Sequence, residues 1–239
     1  MYREIVPTVL RATAASLATM LLALSAACTQ PAKSDGPFPA AARDNAKSAG
    51  PLQTAVLAGG CFWGVEAVFE HVRGVSDVVS GYAGGEAEAA QYETVSSGTT
   101  GHAESVRVTF DPQQVSYGEL LRIFFAVAHD PTQLNRQGPD SGTQYRSAIF
   151  YADDAQKDIA QRYIGQLNQA QIFPRAIVTR VDPLRGFYPA EAYHQDFIAH
   201  HPGNPYVVIN DLPKLRNLQR TLPEFYRESP GAPQNASLQ

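Results

Sequence analysis

An apolar strand pattern stops at two adjacent glycines and continues at once as a helical pattern, and this junction limits the folds that the chain can adopt. Residues 54–59, TAVLAG, form a short apolar run that is typical of a buried strand. In residues 62–72, FWGVEAVFEHV, apolar side chains recur at three- and four-residue steps, which predicts an amphipathic helix. Gly59 and Gly60 allow a sharp turn between the two elements. The chain is therefore expected to form a strand–turn–helix unit with Cys61 at the helix start.

Strand and helix patterns alternate along the rest of the domain. Strands are predicted for residues 105–112, 145–152 and 176–183, and helices for residues 116–129, 153–171 and 189–201. Residues 81–104 contain many glycines and predict a long irregular loop, which in a compact domain is usually functional or disordered. We predict an α+β fold, in which a mixed β-sheet packs against helices in a two-layer sandwich with a ferredoxin-like core.

The N-terminal segment has the pattern of an export signal. Arg3 and Arg11 precede an apolar run that ends in small residues, which is the order of the charged, apolar and cleavage regions of a signal peptide. The run is shorter than the roughly 20 residues that a comfortable membrane span requires. We predict a signal peptide over residues 1–27 and a location in the periplasm or cell envelope.

Cys28 closes this run in LSAAC, which is similar to the motif whose cysteine is lipidated in bacterial lipoproteins. Leu24 stands one position further from the cysteine than in that motif. Two outcomes stay open: lipidation of Cys28, or ordinary cleavage near Ala27 that leaves a soluble exported protein. A membrane is an expected partner only through such a lipid anchor.

Composition divides the remainder of the chain. Residues 28–52 are rich in Ala, Pro, Ser, Lys and Asp without an apolar period, and predict a flexible linker. The domain is predicted over residues 53–226, and residues 227–239 predict a disordered polar tail. The apolar fraction of 44% supports a sizeable core, whereas the net charge of −4 gives no electrostatic reason to expect nucleic acid as a partner.

Cys61 is the one cysteine of the predicted domain, so no disulfide can form inside it. Backbone N–H groups and the positive end of the dipole at a helix start stabilise a thiolate. This position predicts an accessible, nucleophilic thiol of low pKa; the alternative is a buried small apolar side chain. Phe62 and Trp63 are either core residues or an apolar wall that accepts a methyl or thioether group beside the sulfur.

Several segments resemble, in order, the motifs of the A-type peptide methionine sulfoxide reductases. They are GGCFWGVEAVF, GYAGG, TGHAESVRVTFDP, HDPTQLNRQGPDSGTQYRSAIF, and YHQDF with HPGNPYVVINDLPKL. The resemblance implies thiol-dependent reduction of methionine (S)-sulfoxide, free and in proteins, without a cofactor. The histidines show no spacing that predicts a metal site, and a monomer is our default expectation.

The resemblance also implies which side chains carry the reaction. Cys61 corresponds to the nucleophile, and Phe62 and Trp63 correspond to the pocket for the S-methyl group. Glu104 corresponds to the carboxyl that protonates the sulfoxide oxygen, which is otherwise a poor leaving group. Burial among aromatic rings disfavours the ionised carboxyl and raises its pKa toward neutrality. The products would be methionine and a Cys61 sulfenic acid.

Three further residues are implied to complete this pocket. Tyr92 and Tyr145 correspond to the phenols that orient the sulfoxide oxygen, and fixed donors of this kind stabilise developing negative charge. Asp140 corresponds to an acid that organises the site. Taken alone, the two tyrosines suit a core and Asp140 suits a turn.

The sequence departs from the family in the cysteines that regenerate the enzyme. Many relatives carry further cysteines near the C-terminus, whereas residues 202–239 contain none here, and Ser96 stands where some relatives have another. We therefore expect an external thiol, from a thioredoxin-like protein of the cell envelope or a small molecule, to attack the Cys61 sulfenic acid.

Three other functions remain open at this point. One is a cysteine hydrolase or acyl-transferase, in which His102 would act as the base for Cys61. Another is a non-enzymatic lipoprotein that binds apolar peptides at Phe62 and Trp63. The third is a thiol peroxidase, for which peroxide would outcompete methionine sulfoxide.

Overall fold

The structure is a computed structural model that describes Met1 and residues 38–230. The predicted signal peptide beyond Met1, the predicted lipidation site Cys28, and residues 231–239 of the predicted tail lie outside the described residues. Within the described part of the chain, no helix combines the length and the apolar character needed to cross a lipid bilayer.

The described part of the chain contains eight strands and six α-helices. The strands are β1 (Gln53–Gly59), β2 (Val75–Ala83), β3 (Ala103–Phe110), β4 (Arg136–Gln137), β5 (Asp140–Ser141), β6 (Ser147–Tyr151), β7 (Arg180–Pro183) and β8 (Phe187–Pro189). The helices are α1 (Phe62–Glu70), α2 (Tyr92–Val95), α3 (Tyr117–Ile123), α4 (Asp154–Gln169), α5 (Phe197–His200) and α6 (Leu212–Thr221).

Six of these strands form one sheet in the order β7-β6-β1-β3-β2-β8. β6 and β7 run parallel, and the other neighbouring strands are antiparallel. β4 and β5 pair separately as a short antiparallel hairpin. The α+β class and the mixed sheet are therefore confirmed.

The sheet buries different side chains on its two faces. Because side chains alternate along a strand, Ala55 and Leu57 of β1 join the large core with α1, α3, α4 and α6. Val56 and Ala58 point the other way, into a smaller cluster with Leu184 and Phe187 packed against it. The helices thus cover one face of the sheet, as the two-layer prediction requires.

Several boundaries differ from the predictions for local reasons. β2 was not predicted, because its sequence, VSDVVSGYA, does not alternate strictly between apolar and polar residues. The prediction of an irregular loop over residues 81–104 is wrong in part, since this segment contains the end of β2, the short α2 and the start of β3. The helix predicted for residues 189–201 is a 3₁₀ turn (Ala192–His194) and the short α5, separated by Asp196 with a φ of 50°. α3 ends earlier than predicted because the chain continues as a π turn over Phe124–Ala128.

Part of the predicted linker packs against the domain. The Asp44 carboxylate accepts a hydrogen bond from the Gly118 backbone N–H (2.8 Å) at the start of α3. The Arg122 side chain donates to the Phe38 carbonyl (2.8 Å), and the Tyr163 hydroxyl donates to the Pro39 carbonyl. Ordered contacts with α3 and α4 therefore begin before residue 53, because polar groups can hold a segment that has no apolar period.

Candidate active site

The junction of β1 and α1 places Cys61 at a helix start. β1 ends at Gly59, and Cys61 occupies the N-cap position of α1. Gly60 has a φ of +94°, and a Cβ there would lie 2.5 Å from the side chain of Gln137. Only glycine fits this turn without strain and collision. The predicted strand–turn–helix unit is confirmed.

A pocket of about 200 Å³ lies beside Cys61. All seven residues that the sequence predicts for catalysis and substrate binding line this pocket, namely Cys61, Phe62, Trp63, Tyr92, Glu104, Asp140 and Tyr145. One further residue, Tyr206, lines it as well. Cys61 caps α1 and Tyr206 precedes the π turn at Val207–Asp211, and the other six side chains come from α1, α2, β3, β5 and the 3₁₀ turn at Thr143–Tyr145. Folding thus gathers residues that are far apart in the sequence around one sulfur atom.

The side chain of Glu104, a residue of β3, places a buried carboxyl beside the start of α1. It extends from β3, is 3% exposed, and accepts a hydrogen bond from the Phe62 backbone N–H (3.1 Å). Burial raises the pKa of Glu104 to about 8; the hydrogen bond from Phe62 opposes this rise and the charge of Asp140 adds to it. At neutral pH Glu104 is therefore mainly a carboxylic acid that can donate a proton into the pocket.

The Cys61 thiol lines the pocket but is only 8% exposed. Burial raises the pKa of Cys61 well above its usual range, and the carboxyls of Glu104 and Asp211 add to this rise. The Trp63 backbone N–H and the Lys214 ammonium oppose it. The prediction of a low-pKa, accessible thiolate is therefore wrong for the substrate-free protein, because burial and two carboxyls outweigh the helix start.

The aromatic wall beside the sulfur is held by specific contacts. The Trp63 ring stacks on Phe197 with centroids 3.6 Å apart and an angle of 6° between the planes. Its indole N–H donates to His194 Nδ1 (3.2 Å), and the His194 ring lies 5.0 Å from the Phe62 ring. The wall is thus an ordered surface with the size and apolar character that suit a thioether methyl group.

Phenol groups supply the polar side of the pocket. Burial raises the pKa of Tyr92 and of Tyr145, and the nearby Glu104 carboxyl adds to both shifts. Both hydroxyls therefore stay protonated and can donate hydrogen bonds at physiological pH. The Tyr206 hydroxyl donates to the Asp140 carboxylate, which fixes Asp140 of the β4–β5 hairpin at the pocket wall.

The sequence did not predict Tyr206, His194 or Glu191 as parts of the site. The Glu191 carboxylate accepts hydrogen bonds from the Tyr92 backbone N–H (2.9 Å) and from the Tyr82 hydroxyl (2.8 Å), so it positions the start of α2. His194 and Tyr206 do lie in motifs that carry the family resemblance, YHQDF and HPGNPYVVINDLPKL. Sequence alone gave no signal that these motifs fold back onto α1.

His102 does not have the contacts of a catalytic base. Its Nδ1 accepts a hydrogen bond from the Gly85 backbone N–H (3.2 Å), and its Nε2 donates to the Glu86 carbonyl (2.9 Å). Both ring nitrogens are therefore occupied by backbone groups, and the residue does not line the pocket. The hydrolase alternative loses its proposed base. Among the described residues, no group of three or more His, Cys, Asp or Glu side chains could hold a metal ion.

Comparison with known sequences relates the domain that carries this pocket to a family. The family model described as "Peptide methionine sulfoxide reductase" matches residues 53–225. The chain is 59% identical over 184 residues to peptide methionine sulfoxide reductase MsrA 2 of Mesorhizobium japonicum, covering 77% of this chain and 94% of the relative. It is 49% identical over 177 residues to MsrA of Thermus thermophilus, covering 74% and 99% of the two chains.

Solved structures show the same fold. Methionine sulfoxide reductase A of Corynebacterium diphtheriae is 35% identical with a TM-score of 0.56, over 70% of this chain and 83% of that one. Mxr1 from Saccharomyces cerevisiae in its reduced form is 34% identical with a TM-score of 0.57, over 65% and 90% of the two chains. The chain belongs to the peptide methionine sulfoxide reductase family.

Proposed function

We propose that the chain reduces methionine (S)-sulfoxide, free and in proteins, with Cys61 as nucleophile and Glu104 as acid. The observation that carries this assignment is the buried Glu104 carboxyl, which has a pKa of about 8 and shares the pocket with the Cys61 sulfur. A protonated acid beside a thiol is what a sulfoxide needs, because its oxygen leaves only when protonated.

The pocket can bind the sulfoxide group by two kinds of contact. Phe62 and Trp63 offer an apolar surface for the methyl group on sulfur. Glu104, Tyr92 and Tyr145 offer protons to the oxygen, where negative charge develops. A methyl group on one side and oxygen donors on the other favour one handedness at sulfur, which supports selectivity for a single epimer.

Substrate binding would supply the activation that the free thiol lacks. A hydrogen bond from Glu104 to the oxygen increases the positive charge on the sulfoxide sulfur, and this charge stabilises a thiolate at Cys61. The Cys61 sulfur then attacks the sulfoxide sulfur, and the S–O bond breaks as the protonated oxygen leaves as water. A water molecule next attacks the Cys61 sulfur and breaks the new S–S bond, which releases the thioether. The substrate sulfur gains two electrons, Cys61 ends as a sulfenic acid, and no proton is consumed overall.

The experiment that tests this function compares the two epimers. Purified protein is incubated with the S or the R form of N-acetyl-methionine sulfoxide and dithiothreitol, and the released thioether is quantified. We expect turnover of the S form and none of the R form. Equal rates on both epimers would refute the proposed pocket geometry, and faster consumption of hydrogen peroxide than of the sulfoxide would favour the peroxidase alternative.

We propose that an external thiol regenerates Cys61. Cys61 is the one cysteine among the described residues, and the sequence contains only Cys28 besides it. A thiol would attack the sulfenic acid, release water and leave a mixed disulfide, which a second thiol then reduces. A thioredoxin-like protein has two thiols suited to these two steps.

This route predicts how turnover responds to the reductant. Without reductant, one methionine should form per chain and no intramolecular disulfide should appear in the intact mass. With a monothiol, the steady rate should rise in proportion to its concentration until sulfoxide reduction limits it. A Cys28→Ser variant serves as the control and should behave like the wild type. A disulfide between Cys28 and Cys61 would overturn the proposal.

The proposed place of action is the cell envelope. The pattern of residues 1–28 supports export, and it supports either a lipidated Cys28 or a soluble mature protein. Oxidised envelope proteins would then be the substrates. The mass of the mature N-terminus decides between the two forms, and an uncleaved, cytoplasmic chain would contradict export.

A further inference from the structure

A buried ion pair lies against the first turn of α1, and the proposed chemistry does not use it. Asp211 is 0% exposed, and its Oδ1 accepts a hydrogen bond from the Lys214 ammonium (3.1 Å). Within residues 38–230, no side chain or backbone group donates to its other oxygen, Oδ2. A buried carboxylate with one oxygen that accepts no hydrogen bond destabilises the folded protein, which indicates that Asp211 serves a role other than stability.

Gly64 is the residue that lets this pair reach the helix backbone. A Cβ at Gly64 would lie 2.1 Å from Asp211 Oδ1 and 2.6 Å from the Lys214 Nζ. Gly64 belongs to α1 and has an ordinary helical backbone, so it is required here for space. The last residue of GCFWG therefore admits a carboxylate beside the helix start that carries Cys61.

The charge of Asp211 acts on the Cys61 sulfur in the opposite direction to the start of α1. Free N–H groups and the dipole at the start of α1 stabilise negative charge on the Cys61 sulfur. A carboxylate against the same turn disfavours that charge. Burial is the largest cause of the raised pKa of Cys61, and the Glu104 carboxyl is the next. In agreement with the geometry, the charge of Asp211 also raises this pKa, and the charge of Lys214 lowers it by less.

Other ionisable groups face Cys61 from every neighbouring element. They are Glu104 from β3, Asp140 from β5, Tyr92 from α2, Tyr145 from the 3₁₀ turn and Tyr206 beside the π turn that ends at Asp211. Glu104 is largely protonated at neutral pH, although its ionised form also raises the pKa of Cys61. The tyrosines are neutral, and the Asp140 carboxylate accepts a hydrogen bond from the Tyr206 hydroxyl. Asp211 differs from them as a fully buried carboxylate that is paired with a cation. Burial raises the pKa of Asp211, and the charge and hydrogen bond of the Lys214 ammonium oppose this rise and favour the ionised form.

We propose that Asp211 is a positioning residue whose negative charge keeps the Cys61 sulfur protonated until a sulfoxide is bound. The positive charge of Lys214 partly offsets this effect. This inference rests on Cys61 being the nucleophile of the proposed function. A protonated thiol reacts slowly with peroxides and disulfides, so the pair would reserve the sulfur for its substrate. When the sulfoxide is bound and polarised by Glu104, the positive charge on its sulfur would stabilise the Cys61 thiolate more than the charge of Asp211 destabilises it.

The test is the pH dependence of Cys61 alkylation by iodoacetamide, which needs no turnover. Asp211→Asn should move the midpoint to lower pH by about one unit, so that alkylation at pH 7 becomes about tenfold faster. The double variant Asp211→Asn/Lys214→Met removes both charges. It should also move the alkylation midpoint to lower pH, but by less than Asp211→Asn alone. Inactivation by hydrogen peroxide should follow the same order.

The control is Asp158→Asn, which removes a half-exposed carboxylate on α4 and should leave the midpoint unchanged. The double variant leaves no unpaired buried charge, so it keeps the proposal testable if Asp211→Asn alone does not fold. A folded variant with an unchanged or raised midpoint would overturn the inference. If instead the sulfoxide left Cys61 unoxidised, the proposed function would fail while the alkylation result would still stand.

Discussion

Replacing Glu104 with Gln is expected to lower the rate of the sulfoxide-reducing step by about 100- to 10,000-fold, which is the usual contribution of a general acid. Glutamine keeps the size of the side chain and can still accept the hydrogen bond from the Phe62 backbone N–H. It cannot transfer a proton to the sulfoxide oxygen. The measurement is single-turnover release of methionine from the S epimer, which isolates this step from regeneration.

The pH dependence of the single-turnover rate tests the role of Glu104 as the acid in a second, independent way. Burial raises the pKa of Glu104 to about 8, so the acid form is present below that pH and is lost above it. The single-turnover rate of the wild type should therefore fall as the pH rises through about 8. The Glu104→Gln variant has no proton to lose there, and its remaining rate should lack this decline.

Glu66 provides a matched control for this experiment. It is 1% exposed on α1, and burial raises its pKa to about 8 as well, but its carboxylate faces the Ser80 backbone N–H instead of the pocket. Glu66→Gln should keep both the rate and its decline at high pH. A Glu104→Gln rate within a few-fold of the wild type, or loss of the decline in Glu66→Gln, would contradict the assignment of the acid.

Replacing Cys61 with Ser is expected to abolish turnover, because a serine hydroxyl is not ionised at physiological pH and its oxygen cannot take up the oxygen atom as a sulfenic acid does. The pocket should still bind substrate, since its aromatic wall and oxygen donors remain. Methionine release under excess dithiothreitol should fall to the rate without enzyme, and Cys28→Ser should keep the full rate. Residual turnover in Cys61→Ser would contradict the assignment of Cys61 as the nucleophile.

The sequence predicted the general fold well because strong local patterns determine it. The run of residues 54–59, the two glycines and the helical spacing that follows each agree with the structure of β1 and α1. The helix predicted from residue 116 begins where Ser116 and Glu119 form a capping box, a start signal that is visible in the sequence. β2 was missed because its sequence, VSDVVSGYA, does not alternate strictly, and the register that places it beside β3 depends on contacts across the sheet.

The composition of the pocket was predictable only through the family motifs. Glu104 and Tyr145 are 41 positions apart in the sequence, and no periodicity relates either of them to Cys61. The ionisation of the sulfur was predicted in the wrong direction. Local sequence indicates the helix start, but it does not reveal that Asp211 from a distant π turn and Glu104 from β3 lie beside it.

One sulfur atom, that of Cys61, is expected to be oxidised to a sulfenic acid as the substrate is reduced. Mass spectrometry of the Cys61 peptide after a single turnover on the S epimer, without reductant and with dimedone to trap a sulfenic acid, tests it most directly. We expect one dimedone-labelled Cys61 for each methionine released. Methionine released while Cys61 remains an unmodified thiol would contradict it.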